Sequence, residues 1–278
     1  MMANSFFIGV DSDGTVFDTM TAKHDGAMIP AAVAVWELGS VAADFTRVAE
    51  QVNLYSRHRG VNRFRGLLMT FERLAKDPAA AAVLPDFTPL REFVSQSPAL
   101  SGRALAEYRR DHGAAFLRQL QEWSDRSDRL FAQRAQAIGP FPGVKEALAR
   151  AAGFADLMVV SSAAGAGLAA DWGRAGLLPY VACVAGQEAG TKARQLAAAA
   201  EGRYPEGHIL MIGDAPGDRE AAHACGALFY PIVPGRETAC WETLHAEGLE
   251  RFRTGQYAGI YEAARNAEFD NALDGAGG

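Results

Sequence analysis

The sequence predicts an α/β protein: a doubly wound, Rossmann-like parallel sheet whose core carries an inserted α-helical cap domain. Three observations lead there. Short apolar runs alternate with helix-compatible stretches at the start of the chain and again beyond residue 150. Polar, chemistry-bearing residues follow directly on several of those runs, at the sheet edge where open α/β sheets bind ligands. The stretch between, residues 20–138, is helix-like almost throughout.

Phe6-Phe-Ile-Gly-Val10 is apolar without alternation, as a strand buried on both faces should be, and it ends at Asp11. Later strands are expected at Leu157–Val160, Val181–Val184, Ile209–Ile212 and Ala227–Tyr230. Helices are expected between them at Gly167–Ala175, Lys192–Ala200 and Asp218–Cys225. Such alternation implies parallel strands joined by right-handed crossovers. In the insertion, helical patterns run over Ala31–Gln51, Arg63–Ala75, Arg103–Trp123 and Arg126–Gln136, with Pro78, Pro85, Pro89 and Pro98 breaking its middle. Gly139-Pro-Phe-Pro-Gly143 is a rigid return to the core, so the domains are 1–19 with 139–278, and 20–138. Two terminal helices, Trp241–Phe252 and Tyr257–Leu273, precede a tail from Asp274 to Gly278 that should fray.

Among the 278 residues, 49% are hydrophobic and 22% charged, as in folded globular domains. The net charge is −6 and no segment is dominated by basic residues, which argues against nucleic acid as a partner. No apolar run reaches the roughly 18 residues a membrane helix needs, and the N-terminus lacks the basic start of a signal peptide. Cys183, Cys225 and Cys240 are odd in number and widely spaced, so buried, reduced thiols and a cytoplasmic location are expected. The six histidines have no zinc-ligand spacing.

Four polar stations carry the chemistry. Asp11-Ser-Asp-Gly-Thr15 places two carboxylates two residues apart just after a buried strand, which is costly unless they are used. Its Gly14 allows a sharp turn. Ser161 closes the second strand, where its hydroxyl can hold a phosphate oxygen or serve as an ordinary helix cap. Lys192 opens a helix against the macrodipole, a placement that suits holding an anion better than stabilising the helix. Gly213-Asp-Ala-Pro-Gly-Asp218 follows the fourth strand, with Asp214 at a metal ligand's position and Asp218 in the next first helical turn.

In order and context these stations resemble the four motifs of the haloacid dehalogenase-like (HAD) hydrolase superfamily over residues 5–19 and 139–235, with a helical cap after the first motif. The resemblance implies a magnesium-dependent phosphohydrolase acting on a small phosphorylated metabolite. Asp11 would be the nucleophile that forms an aspartyl-phosphate, and Asp13 the general acid and then base. Ser161 and Lys192 would bind the phosphate. Asp11, the Asp13 carbonyl, Asp214 and Asp218 would hold Mg2+, and Thr15 would orient Asp13. Within the superfamily, an acid at position 13 favours phosphate esters over halides or phosphonates. It leaves open a phosphomutase, or a non-catalytic binding protein on the same fold.

In the insertion, Lys23, His24 and Arg63 are candidates for contacting a second polar group of the substrate, in the neighbourhood of a basic cluster with Arg57, Arg59 and Arg65. The alternative reading of that cluster is a solvated helix face.

Overall fold

The computed structural model describes residues 4–200 and 202–274. The greater part of the tail expected to fray, residues 275–278, lies outside the described residues. The chain divides into two compact units, one running to Thr19 and resuming at Ile138, the other spanning Met20–Ala137.

The first unit is built on five parallel strands: β1 (Phe6–Val10), β2 (Ala155–Val160), β3 (Cys183–Ala185), β4 (Ile209–Gly213) and β5 (Leu228–Pro231). They lie in the order β3-β2-β1-β4-β5. Ile8 is in register with Leu157 on one side and Leu210 on the other. Because side chains alternate along a strand, each strand feeds both faces. Ile8, Val10, Leu157, Val159, Leu210 and Ile212 pack into one core, while Phe7, Met158, Val160 and Met211 pack into the other. That double burial is why the runs read as continuously apolar.

Helices cover each face. In Val144–Ala151, Val144, Ala147, Leu148 and Ala151 recur at helical spacing and join the first core. On the other face, Lys192–Ala200 presses so close that a Cβ on Gly9 would stand 2.6 Å from Leu196. Lys192, Leu196 and Ala200 share one stripe of that helix, which carries the lysine to the β1 end of the sheet. The predicted terminal helices are present as Glu237–Thr243, a π turn at Leu244–Gly248, Leu249–Arg253, and Ile260–Asp274.

The cysteines differ from expectation. All are free, but Cys183 is exposed and Cys225 and Cys240 are only half-buried. Cys183 sits on β3, an edge strand, and an apolar run on an edge is covered less completely than one in the centre.

The second unit is helical and has its own core, centred on Phe45, Phe64, Phe71, Leu117 and Trp123. Two expected helices are divided differently. The pattern Ala31–Gln51 breaks after Ile29–Val35. There Glu37 takes a left-handed φ of 53° and the Leu38 N–H reaches back to Val33 O at 2.9 Å, the closing bond of a Schellman turn. A 3-10 turn (Gly39–Val41) and the helix Ala42–Asn53 follow. The pattern Arg103–Trp123 breaks at His112-Gly-Ala114, whereas the separation expected near residue 125 is absent: Ala115–Ala135 is one helix. Glycine's poor helix propensity marks that break. Pro78 and Pro89 lie in the first turns of short helices, where no N–H is needed. Among the described residues no helix is long and apolar enough to cross a membrane.

Candidate active site

β1 has β2 on one side and β4 on the other, so the strand order reverses direction at the β1–β4 seam. In a doubly wound sheet the crevice at that seam is the ligand position. Asp11 leaves the end of β1 there, its N–H donating to Ile212 O at 2.9 Å, and Asp214 follows β4 directly.

The loop after β1 is held by the packing beneath it. Gly14 adopts a φ of 78°, outside the range of most residues. Trp172 Nε1 donates to Ser12 Oγ at 3.0 Å and Trp241 Nε1 donates to Thr15 O at 2.8 Å. Both tryptophans are fully buried. The terminal helix carrying Trp241, to which the sequence assigned no chemistry, thus braces the first motif.

The carboxylates of Asp11, Asp214 and Asp218 are all buried, and one oxygen from each lies within 4.8 Å of the others. Lys192 closes the group, its Nζ 2.8 Å from Asp11 Oδ1 and 2.5 Å from Asp218 Oδ1. The second oxygen of Asp218 accepts from Ala215 N–H at 3.0 Å, so one carboxylate both caps its helix and pairs with the lysine. Gly213 is what lets Asp218 approach: a Cβ there would meet the Asp218 side chain at 2.4–2.6 Å. Thr15 Oγ donates to Asp214 Oδ1 at 2.7 Å and stands 3.3 Å from Asp11 Oδ2, linking the ends of β1 and β4.

Burial holds the Asp11 carboxyl well above the ordinary carboxylate range; Asp218 and Asp214 push the same way and Lys192 pulls back. Asp218 is raised for the same first reason. For Lys192 burial works against the ammonium, but Asp11 and Asp218 outweigh it and raise its pKa. Three carboxylates against one ammonium leave two negative charges out of water when all are ionised. A divalent cation matches that deficit, and an all-oxygen donor set suits magnesium.

Asp13 is oriented differently from expectation. Its Oδ1 accepts from Thr19 Oγ at 2.5 Å, whereas the Thr15 hydroxyl is engaged by Asp214. Position 15 faces the carboxylate cluster, while Thr19 opens the next helix and meets Asp13 across the turn. Ser161 is buried at the end of β2, and its Oγ accepts from Ala163 N–H at 3.2 Å. It does not cap the following helix, which begins at Gly165 after Ala164.

Gln195 escaped the sequence reading. Its Oε1 accepts from Ser161 N–H at 3.2 Å, and its amide nitrogen lies 2.9–3.0 Å from the carbonyls of Ser161, Gly186 and Gly190. Buried one turn after Lys192, it ties the Ser161 loop to the Lys192 helix. A glutamine inside an Ala-rich helix was the available signal.

In the helical unit, His24 and Arg63 line one pocket. Lys23 instead lays its Nζ 5.3 Å from the Phe131 ring centroid. Arg63 pairs with Asp128 at 2.7 Å. The basic cluster is split: Arg63 and Arg65 lie on the helix Arg63–Leu74, with Arg65 exposed, whereas Arg57 and Arg59 lie in the turn before it, and Arg59 is buried with its guanidinium donating to Leu54 O at 2.9 Å.

No family model matches the sequence, and no curated protein matches it. Solved structures do match by fold. A predicted phosphoglycolate phosphatase from Haemophilus somnus aligns over 83% of this chain and 86% of its own, at 14% identity and a TM-score of 0.51. A haloacid dehalogenase-like family hydrolase from Streptococcus pneumoniae aligns over 85% and 90%, at 13% identity and a TM-score of 0.46. At such identities the likeness concerns the fold alone, and this chain shares the fold of the Haemophilus somnus protein.

Proposed function

We propose, from the haloacid dehalogenase-like fold this chain carries, that it is a magnesium-dependent phosphohydrolase of small phosphorylated metabolites, with residues 1–19 and 139–278 as catalytic core and 20–138 as cap. The observation that supports this most is the gathering of Asp11, Asp214 and Asp218 around Lys192 at the β1–β4 seam. Buried carboxylates in such number are expensive unless a cation or a reaction uses them.

In this reading an Asp11 carboxylate oxygen attacks phosphorus in line and the ester oxygen leaves, taking a proton from Asp13. Asp13 then removes a proton from water, whose oxygen attacks the aspartyl-phosphate and releases inorganic phosphate, restoring Asp11. Ser161 and Lys192 hold the phosphoryl oxygens, with Gln195 keeping their two segments in register. Magnesium held by Asp11, Asp214, Asp218 and the Asp13 carbonyl would supply neutralisation of the phosphoryl charge. A cytoplasmic site of action belongs to the same reading, supported by three free cysteines.

The test is phosphate release from a panel of sugar, glycolytic, nucleotide and aromatic phosphates, with magnesium or with a chelator. Release that needs magnesium and is abolished by Asp11→Asn, in a protein that still folds, is the expected result. No release from any member by a folded, magnesium-loaded protein overturns hydrolysis of these classes. Transfer to a sugar hydroxyl instead of water would assign a mutase.

A further inference from the structure

Between Asp11 and Asp13 stands Ser12, a polar residue at a core position. Ile8 and Val10 pack into the first core, while Phe7 and Gly9 face the side where Leu196 and its helix lie. Alternation along the strand carries Asp11 to the side of Gly9, where Lys192 meets it, and Ser12 to the side of Ile8 and Val10. The pairing of β1 with β4 reaches this far, since Asp11 N–H donates to Ile212 O. Ser12 is 2% exposed, where the pattern of β1 calls for another apolar side chain.

A buried hydroxyl is costly unless it is met by a partner. Trp172 meets it, with Nε1 3.0 Å from Ser12 Oγ. Trp172 is fully buried in the same core, and that nitrogen is the only polar atom of its side chain. Two apolar groups of the same shape would serve stability as well or better. What the bond adds is direction. Ser12 O also accepts from Val16 N–H at 2.9 Å and Phe17 N–H at 3.2 Å, and the Trp172 ring meets the Phe17 ring edge-on at 6.3 Å between centroids. Ser12 is therefore fixed through its side chain and its carbonyl. Asp11 and Asp13 are its two chain neighbours, so a turn of Ser12 re-aims both carboxylates.

We infer that Trp172 is a positioning residue of the proposed reaction, acting through Ser12 to hold Asp11 and Asp13 at the angle that phosphoryl transfer needs. The inference rests on the phosphohydrolase reading, which gives neither Trp172 nor Ser12 a part. Trp172 lies on the helix Gly165–Arg174, which begins shortly after Ser161. Its bond thus ties the element after the phosphate-holding serine to the loop that bears the nucleophile. In-line transfer depends on such aim: a misplacement of about 1 Å can cost on the order of a hundredfold in rate.

The experiment compares kcat, KM and Tm for the parent, Ser12→Ala, Trp172→Phe and the double variant, on the best substrate of the phosphate panel. Each single variant should lose about tenfold in kcat with KM within about twofold of the parent, the signature of an interaction that matters in the transition state. The double variant should be no slower than the slower single one, because both changes remove the same bond. A merely structural pair would lower Tm and leave the kcat of folded enzyme unchanged. Ser12→Ala removes a single oxygen, so it decides the matter should Trp172→Phe fail to fold. A parent that releases no phosphate fails the phosphohydrolase reading and this assignment with it. An active parent whose folded Ser12→Ala variant keeps its kcat, or whose two losses multiply in the double variant, overturns the assignment alone.

Discussion

Thr19 donates its hydroxyl hydrogen to Asp13 Oδ1 at 2.5 Å, so the second carboxylate of the first loop is aimed by a residue six positions further on. A hydrogen bond to a charged acceptor contributes roughly 1.5–3 kcal/mol. Thr19→Val keeps the shape and removes the donor. It should lower kcat on the best substrate by about tenfold or more and lower stability by no more than that roughly 1.5–3 kcal/mol, and Thr19→Ser should restore most of the rate. Equal rates in Thr19→Val and the parent protein would remove Thr19 from the machinery.

Lys192 is the cation that Asp11 and Asp218 share. Lys192→Met leaves those carboxylates buried without it, a loss of roughly 3–5 kcal/mol when one partner of a buried ion pair is removed. Thermal denaturation in chelator should therefore show a large drop in Tm. Magnesium should recover part of it, since ligands that bind only the native state stabilise it. The gap between magnesium and chelator should be wider in the variant than in the parent. A narrower gap would mean that lysine and metal do not offset the same charges.

Gln195 Oε1 accepts from the Ser161 N–H, and its two amide hydrogens are shared among the carbonyls of Ser161, Gly186 and Gly190. Gln195→Ala should cost roughly 3 kcal/mol in urea denaturation, because buried carbonyls lose their donor. It should also weaken inhibition by inorganic phosphate. Gln195→Glu should be worse, since a carboxylate would face three carbonyl oxygens. Full stability in both variants would show that the clamp is dispensable.

Burial, with Arg59, Lys23 and Arg63 adding to it, lowers the His24 pKa from its ordinary 6.5 to about 3. Between those values the unfolded chain binds a proton that the folded chain refuses. Stability therefore rises with pH across that window, is fully present above about 6.5, and is lost as pH falls towards 3. From pH 7 to pH 5 this one group should cost about 2 kcal/mol. Chemical denaturation at the two pH values should show that loss in the parent and its absence in His24→Gln. Identical pH dependence would mean that His24 is protonated in the native state.

The sheet was legible because a strand buried on both faces must be apolar along its whole length. β1 and β4 read that way, and they are followed at once by Asp11 and Asp214. Helix ends within the insertion were less legible. The turn at Glu37 has no glycine to announce it, and a left-handed residue is chosen there because Leu38 must turn into the core. Cys183 was misjudged because apolar sequence does not distinguish an edge strand from a central one.

The sequence by itself determined the local chemistry: which strands end in carboxylates, where the lysine opens its helix, and which segment is helical. Pairing across the chain belonged to the tertiary structure. Thr15 sits four residues from Asp11 but 199 from Asp214, and its hydrogen bond goes to the distant one. Gln195 reaches 34 residues back to Ser161. Such partners are chosen by strand order and helix packing, which bring remote segments within about 3 Å, and no spacing along the chain encodes that distance.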